Sequence, residues 1–237
     1  MPTPSTSPRR PSKSGAPKLD RPTIVDAALA LMDQHGIEWL TMRRLADALD
    51  VTAPTLYWHL PDKNALHDAC VDRALRDIEI PDADHDDWRA GIRLFMSSMR
   101  LQLGEHPSVT QLMTRSHPEA VSRIASGAIA LIRSSGLGWD DAFLYCRLMI
   151  WRVVGFASME HTLRVASELH RPEKKGKRDI SPTRFRLTVP WPDDLPPEAR
   201  NASTLVDLNL MYTTDIELFI TGVDRARRAD NSSHLHA

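Results

Sequence analysis

Cysteine is nearly absent: Cys70 and Cys146 are the only two in 237 residues. They lie far apart in helix-like segments and form no C-x-x-C. That pattern argues against a disulfide framework, a zinc site or a dithiol redox pair, and leaves both thiols as core side chains. No uninterrupted run of about 18 apolar residues occurs, so no membrane span is expected. The opening "MPTPSTSPRRPSKSGAPK" has no apolar stretch for a signal peptide, and a cytoplasmic location is expected. Net charge is only −1, so charge alone selects no partner. Catalytic signatures are missing too: there is no H-E-x-x-H, G-x-S-x-G, Walker loop or G-x-G-x-x-G. "DADHDD" at 82–87 resembles the start of a calcium loop, but its sixth position is Asp87 instead of Gly and its twelfth is Arg93 instead of Glu. An enzyme is not expected, nor a cofactor or a bound metal.

What is present is enough apolar material, 42% of residues, for one substantial domain and a small one. Residues 1–18 stand apart. Arg9, Arg10, Lys13 and Lys18 lie among Pro, Ser and Thr that cannot bury enough surface to fold. This basic arm is either a solvated tail or a segment that follows phosphates or enters a minor groove beside a bound helix.

Beyond the arm, helical periodicity dominates and the expected class is all-α. In "RPTIVDAALALMDQHG", Ile24, Ala27, Ala28 and Leu31 share a face, Thr23 with Asp26 resembles a capping box, and Gly36 stops the helix. "LTMRRLADALD" starts from Thr41 as N-cap and repeats apolar residues at Met42, Leu45, Ala46 and Leu49. Asp50 can supply the left-handed turn that ends it, and Val51 plugs that turn. Thr52 then caps "APTLYWH", whose Pro54 sits in the first turn, where a missing N–H is harmless. At about 100° per residue, Ala53, Leu56 and Leu60 face inward, while Pro54, Tyr57 and Trp58 face away, with Thr55 and His59 on a flank. Neighbours as small as the two preceding helices cannot cover all of those rings. Pro61 ends the segment and Asp62 caps the next helix. Two short helices joined by a tight turn, the second showing polar and aromatic groups outward, describe either a DNA-reading helix-turn-helix or an ordinary trihelical packing unit.

"GIEWLTMRRLADALDVTAPTLYWHLPDKNALHDA" is similar to the DNA-binding domain of the TetR family of transcriptional repressors, its tetracycline-responsive members above all through "PTLYWH" and the following K-x-A-L. The match runs from Leu19 to about Ala69. Weaker similarity, through "EHP", "LPP" and "LFITGVDRARR", reaches the C-terminus. The resemblance implies a helix-turn-helix domain over 19–80 and a larger helical ligand-binding and dimerisation domain over 86–230. It implies that Arg43 reads a guanine edge, for which a guanidinium is suited. Thr41, Thr55, Tyr57, His59 and Lys63 match positions that contact phosphates or bases, and Pro54 and Tyr57 would touch thymine methyls. Thr52 and Ala53 stand where tetracycline-responsive members carry longer polar residues, so the operator should differ. Trp58 is expected to pack at the helix edge.

In the remainder, Ile92, Phe95, Met96, Met99 and Leu103 form an apolar stripe, and the helix from Trp139 is apolar nearly all round between Ala142 and Met159, which requires cover on two sides. From 170 to 201 periodicity is lost apart from a brief "RFRLTV", and a mobile loop is expected. Ile216, Phe219, Ile220 and Val223 mark a last helix, with Gly222 allowing a close approach. The family implies that this helix and the long one pair with their symmetry mates in a homodimer on a palindromic double-stranded DNA operator. It also implies an inducer pocket, here lined by Phe95, Met96, Met99, Met113, Trp151 and Phe156, with His106, Ser116, His117 and Glu160 as polar groups. Met and aromatic stripes also make plain core. Met113, Ser116 and Met159 replace the family's metal-linked ligand set, so an apolar or aromatic organic inducer is expected. The alternative is a helical small-molecule-binding or adaptor protein with weak or no specific DNA binding.

Overall fold

Asp20 opens the first helix, not the Thr23–Asp26 pair that the spacing suggested. Its carboxylate accepts from Thr23 N at 2.9 Å and Thr23 Oγ at 2.7 Å. Pro22 lies in the first turn, so the chain is already helical there, and only a residue upstream of the proline can cap it. The computed structural model describes residues 19–82, 87–113, 119–169, 184–186, 196–197 and 205–234. The basic arm with Arg9 and Arg10 lies outside the described residues, as do Ser116 and His117 and most of 170–201.

Helix α1 (Arg21–His35) ends at Gly36, whose φ is +87° and whose N–H returns to Met32 O at 2.7 Å. A short 3-10 turn leads into α2 (Met42–Ala48), α3 (Ala53–His59) and α4 (Lys63–Leu75). Ile24, Leu45, Leu56, Leu60 and Leu66 are fully buried between them. Cys70 belongs to this core, its thiol pushed up to about 12 by burial and by the charges of Asp33 and Asp26. Cys146 is buried further along the chain and pushed up to about 11 by burial, so both thiols are poor nucleophiles.

The rest is built from α5 (Trp88–Glu105), α6 (Val109–Leu112), α7 (Glu119–Arg133), α8 (Trp139–Leu169) and α9 (Leu208–His234). Asp87 caps α5, accepting from Arg89 N and Ala90 N. The expected α5 stripe is wholly buried and packs against α7, α8 and α9. Gly222 meets Tyr145, whose hydroxyl donates to the Gly222 carbonyl at 3.0 Å. Two short strands depart from the all-helical expectation: β1 (Arg184–Arg186) pairs antiparallel with β2 (Leu205–Asp207), Phe185 opposite Val206. The first coincides with the start of the alternating "RFRLTV" noted in the sequence; the second, Leu205–Asp207, left no such trace.

Helix α8 holds no uninterrupted apolar run, since Arg147 and Arg152 divide it, yet its average composition invites comparison with a membrane span. Over Trp139–Ala166 it is long and apolar enough to cross a membrane by length and composition alone. It packs along α5 and α7, and its Ala142, Cys146, Met149, Val153 and Ala157 are buried, so that face belongs to the core.

One close approach sets the connection between α4 and α5. A methyl group at Gly127 of α7 would overlap Ile80 Cγ2 and lie 3.1 Å from Ile80 Cδ1. Gly127→Ala should therefore lower stability by about 1–3 kcal/mol, because the stiff β-branched neighbour must move as a unit. Helix propensity alone would raise stability by about 1 kcal/mol. Denaturant unfolding distinguishes the two signs.

Candidate nucleic-acid interface

The site begins with a turn that only a few residue types accept. Asp50 has φ +53°, the one non-glycine residue with positive φ among the described residues. Its short polar side chain tolerates this conformation. The turn is closed by Val51 N–H donating to Ala46 O at 3.0 Å, with Val51 half-buried beneath it. The Asp50 and Val51 expectations therefore hold, and α3 leaves α2 at an angle fixed by a one-residue reversal.

Helix α3 then divides by face. Leu56 and Leu60 are 0% exposed, whereas Tyr57 is 48% and Trp58 90% exposed. Pro54 is exposed, and Ala53, Thr55 and His59 are half-buried. Thr52 occupies the N-cap position, but its side chain makes no cap bond; its Oγ lies 2.9 Å from Thr55 Oγ. The paired hydroxyls keep an unused donor or acceptor apiece for a partner outside the chain. Trp58 corrects the expectation of packing at the helix edge. One residue beyond Tyr57, it turns away from the core and is left uncovered by the described residues.

Adjacent arginines on α2 are put to different uses. Arg44 donates to Trp39 O at 2.7 Å, and its guanidinium lies 4.6 Å above the Trp39 ring, itself stacked on His35 at 4.2 Å. Arg43 is exposed, its fork directed to solvent. Thr41 caps α2 by accepting from Arg44 N at 3.2 Å. Asp62 caps α4 by accepting from Ala65 N at 2.8 Å, which places Lys63 in the first turn just after α3 ends. Thr41, Arg43, Thr52, Pro54, Thr55, Tyr57, Trp58, His59 and Lys63 thus all fall on or beside the α2–α3 unit. The Trp39–Arg44 stack was missed by sequence reasoning; W-x-x-x-x-R across a helix start was its only trace.

The sequence-named ligand residues are not gathered in this way. Phe95, Met96 and Met99 are fully buried on α5. Phe156 is half-buried and lies 4.7 Å from Tyr212, while Met113 is half-buried at the end of α6. Trp151 is 75% exposed on the opposite side of α8, and His106 is bonded to Asp33 of α1 at 2.9 Å. Glu160 is buried between Arg100 at 2.9 Å and Arg164 at 2.6 Å. Burial pushes its carboxyl up, but those two bonds prevail and hold it below the usual range. Arg100 also bonds Asn209 Oδ1 at 3.0 Å and lies over the Phe156 and Tyr212 rings. With Ser97, Leu101 and Gly104 this cluster lines a cleft of about 370 Å3. A more apolar cleft of about 620 Å3 lies between α7 and the start of α8, beside Arg133, Trp139 and Phe143.

Comparison with known proteins agrees with the geometry of the reading unit. The sequence profile of "Bacterial regulatory proteins, tetR family" matches residues 24–70. An HTH-type transcriptional regulator of Saccharopolyspora erythraea is 31% identical over 164 residues, 67% of this chain and 69% of the relative. The class C tetracycline repressor of Escherichia coli is 35% identical over 173 residues, 72% of this chain and 78% of that protein. Among solved structures, BioQ with its natural double-stranded DNA operator superposes with a TM-score of 0.55 at 31% identity, over 64% of this chain and 95% of that one. A one-residue left-handed turn between short helices, an outward aromatic pair and relatives that match well past this unit lead to one assignment: the chain belongs to the TetR family of bacterial transcriptional regulators.

Proposed function

We propose that the protein is a cytoplasmic, homodimeric transcriptional repressor that binds a palindromic operator and releases it when a small apolar or aromatic organic inducer occupies the helical body. The observation that carries this reading is the division of α3: its aliphatic face is buried in the core, while Tyr57 and Trp58 stand in water. Large rings held out of a core on a helix of 7 residues serve a surface that covers them, and a major groove admits such a helix. Arg43 supplies the fork for a guanine edge. Thr41, Thr52, Thr55, His59 and Lys63 supply donors to phosphates. Ala53, half-buried and short, leaves space at the groove floor. Phe95, Met96, Met99, Met113 and Phe156, with His106, are the residues we assign to the inducer side. Trp151 faces away from them and fits the subunit interface better. BioQ, crystallised on its operator, supports the DNA reading.

Selection of genomic fragments by the purified protein is the direct test. Retained fragments should share a two-fold symmetric sequence with half-sites about one helical turn apart. Affinity should fall steeply with salt, and Lys63→Ala should reduce the logarithmic salt slope by about one. Removing residues 1–18 should flatten the slope further if the arm follows phosphates. A protein that retains no fragment at low salt is an adaptor or a binding module instead.

A further inference from the structure

Two polar joints among the described residues tie helices α1–α4, the reading head, to the helical body. At one, Asp72 of α4 accepts from Ala120 N of α7 at 2.8 Å. There Arg123 of α7 donates to the carbonyls of Leu75 at 2.7 Å and Arg76 at 3.1 Å, at the end of α4. At the other, the Asp33 carboxylate of α1 gathers three donors from the corner between α5 and α6. Ser108 Oγ lies at 2.6 Å, Ser108 N at 3.2 Å and His106 Nδ1 at 2.9 Å. His106 terminates α5, its N–H bonded to Gln102 O at 3.1 Å, and Ser108 opens α6. A single carboxylate therefore grips the body where one helix stops and the next starts.

The second joint contains a group that titrates near neutrality. The charged groups that act on His106 are Asp33 of α1, Glu105 on its own helix and Arg73 of α4, and Arg73 is itself paired with Asp26 at 2.9 Å and with Asp77. The Asp33 bond raises the ring's proton affinity above the ordinary histidine value; burial and Arg73 oppose it without cancelling it.

We propose that Asp33 is a positioning residue for operator binding: through His106 and Ser108 it sets the angle of the reading head against the α5–α6 corner, and a proton on His106 tightens that setting. This rests on the repressor reading above. A proton held more firmly in the joined arrangement means that the added tightness is full below the ordinary imidazole value and is lost as pH rises through the raised one. Operator affinity should fall over the same window. The informative quantity is the difference between wild type and a variant without the His106 titration, because the comparison cancels whatever else in the complex responds to pH.

The experiment measures operator affinity between about pH 5.5 and 8.5 for wild type, His106→Gln, Asp33→Asn and the double variant. Hydrogen exchange at the Ser108 amide is followed without DNA. Gln keeps an amide donor for Asp33; if it fails to fold, His106→Asn replaces it. Wild-type affinity should fall about fivefold more across the window than that of His106→Gln. Asp33→Asn should flatten the profile equally, and the double variant should add nothing. Ser108 protection should weaken with the titration of His106 in wild type and lack that step in His106→Gln. Parallel profiles in wild type and His106→Gln overturn the proposal. If wild type binds no operator, the repressor reading has failed, and the Ser108 step by itself decides whether the joint responds to the proton.

Discussion

Arg43→Ala and Tyr57→Ala are each expected to weaken operator binding by about 10- to 100-fold, equivalent to roughly 1–3 kcal/mol at a well-made base contact. Both side chains are exposed, so their loss should leave the unfolding midpoint within the range of ordinary surface changes, about 0.5 kcal/mol. The two variants differ in kind. Losing Arg43 should relax discrimination at one base pair of each half-site, because a two-toothed donor to a purine edge carries sequence information. Losing Tyr57 removes apolar area and should weaken matched and mismatched sites more evenly. Leu56→Ala is the contrasting control: a fully buried leucine opens a cavity costing about 2–5 kcal/mol, and it should abolish binding by unfolding the head. Titration of a labelled operator, beside thermal unfolding of each variant, separates these outcomes. An Arg43→Ala protein that binds every half-site as wild type does would remove the guanine-reading role.

The reading unit was legible because its punctuation is local. Thr41, Asp50, Pro54, Pro61 and Asp62 each fix a helix end by chemistry within four residues of themselves, and the structure places the caps and the φ +53° turn where that chemistry puts them. The α1 start was misplaced for a related reason. A threonine and an aspartate at capping distance offered a plausible pair, but the proline between Asp20 and Thr23 had already committed the chain to helix. Trp58 was expected to pack at the helix edge because periodicity assigns a direction and not a neighbour, and among the described residues that direction leaves it 90% exposed.

The body was less legible because its decisive contacts are distant in sequence. Arg100 meets Glu160 across 60 positions and Asn209 across 109, and Asp33 meets His106 across 73; no spacing rule announces such pairs. Buried Met and Phe look alike whether they fill a core or line a cavity. Helix α8 posed the same problem more sharply, since apolar residues on all sides reveal that two covers are needed and do not tell which side belongs to which.

The structure resolves that choice, and with it the second large effect. On α8 the side facing α5 and α7 is buried, while Phe143, Leu144, Leu148 and Trp151 remain exposed, and on α9 Leu210, Met211 and Leu218 do so too, Leu218 at 63%. Leu144, Leu148 and Trp151 recur at helical spacing, and Arg152 of α8 bonds Asp215 of α9, tying the two helices into one surface. Apolar patches of this extent mark surfaces that a partner covers, and in a two-fold dimer the same face would serve both copies. Leu148→Asp would then place two carboxylates in one apolar interface, each costing several kcal/mol unless it is protonated. The dimer dissociation constant should rise on the order of 10³-fold, while the protomer, which leaves Leu148 in water, keeps its fold. Operator affinity should fall with it, since separated heads lose the effective concentration, about millimolar, that links one half-site to the next. Leu148→Met should change neither quantity appreciably. Sedimentation over a dilution series, paired with operator binding at the same concentrations, follows both; a Leu148→Asp protein that stays dimeric and bound would put the subunit contact on some other face.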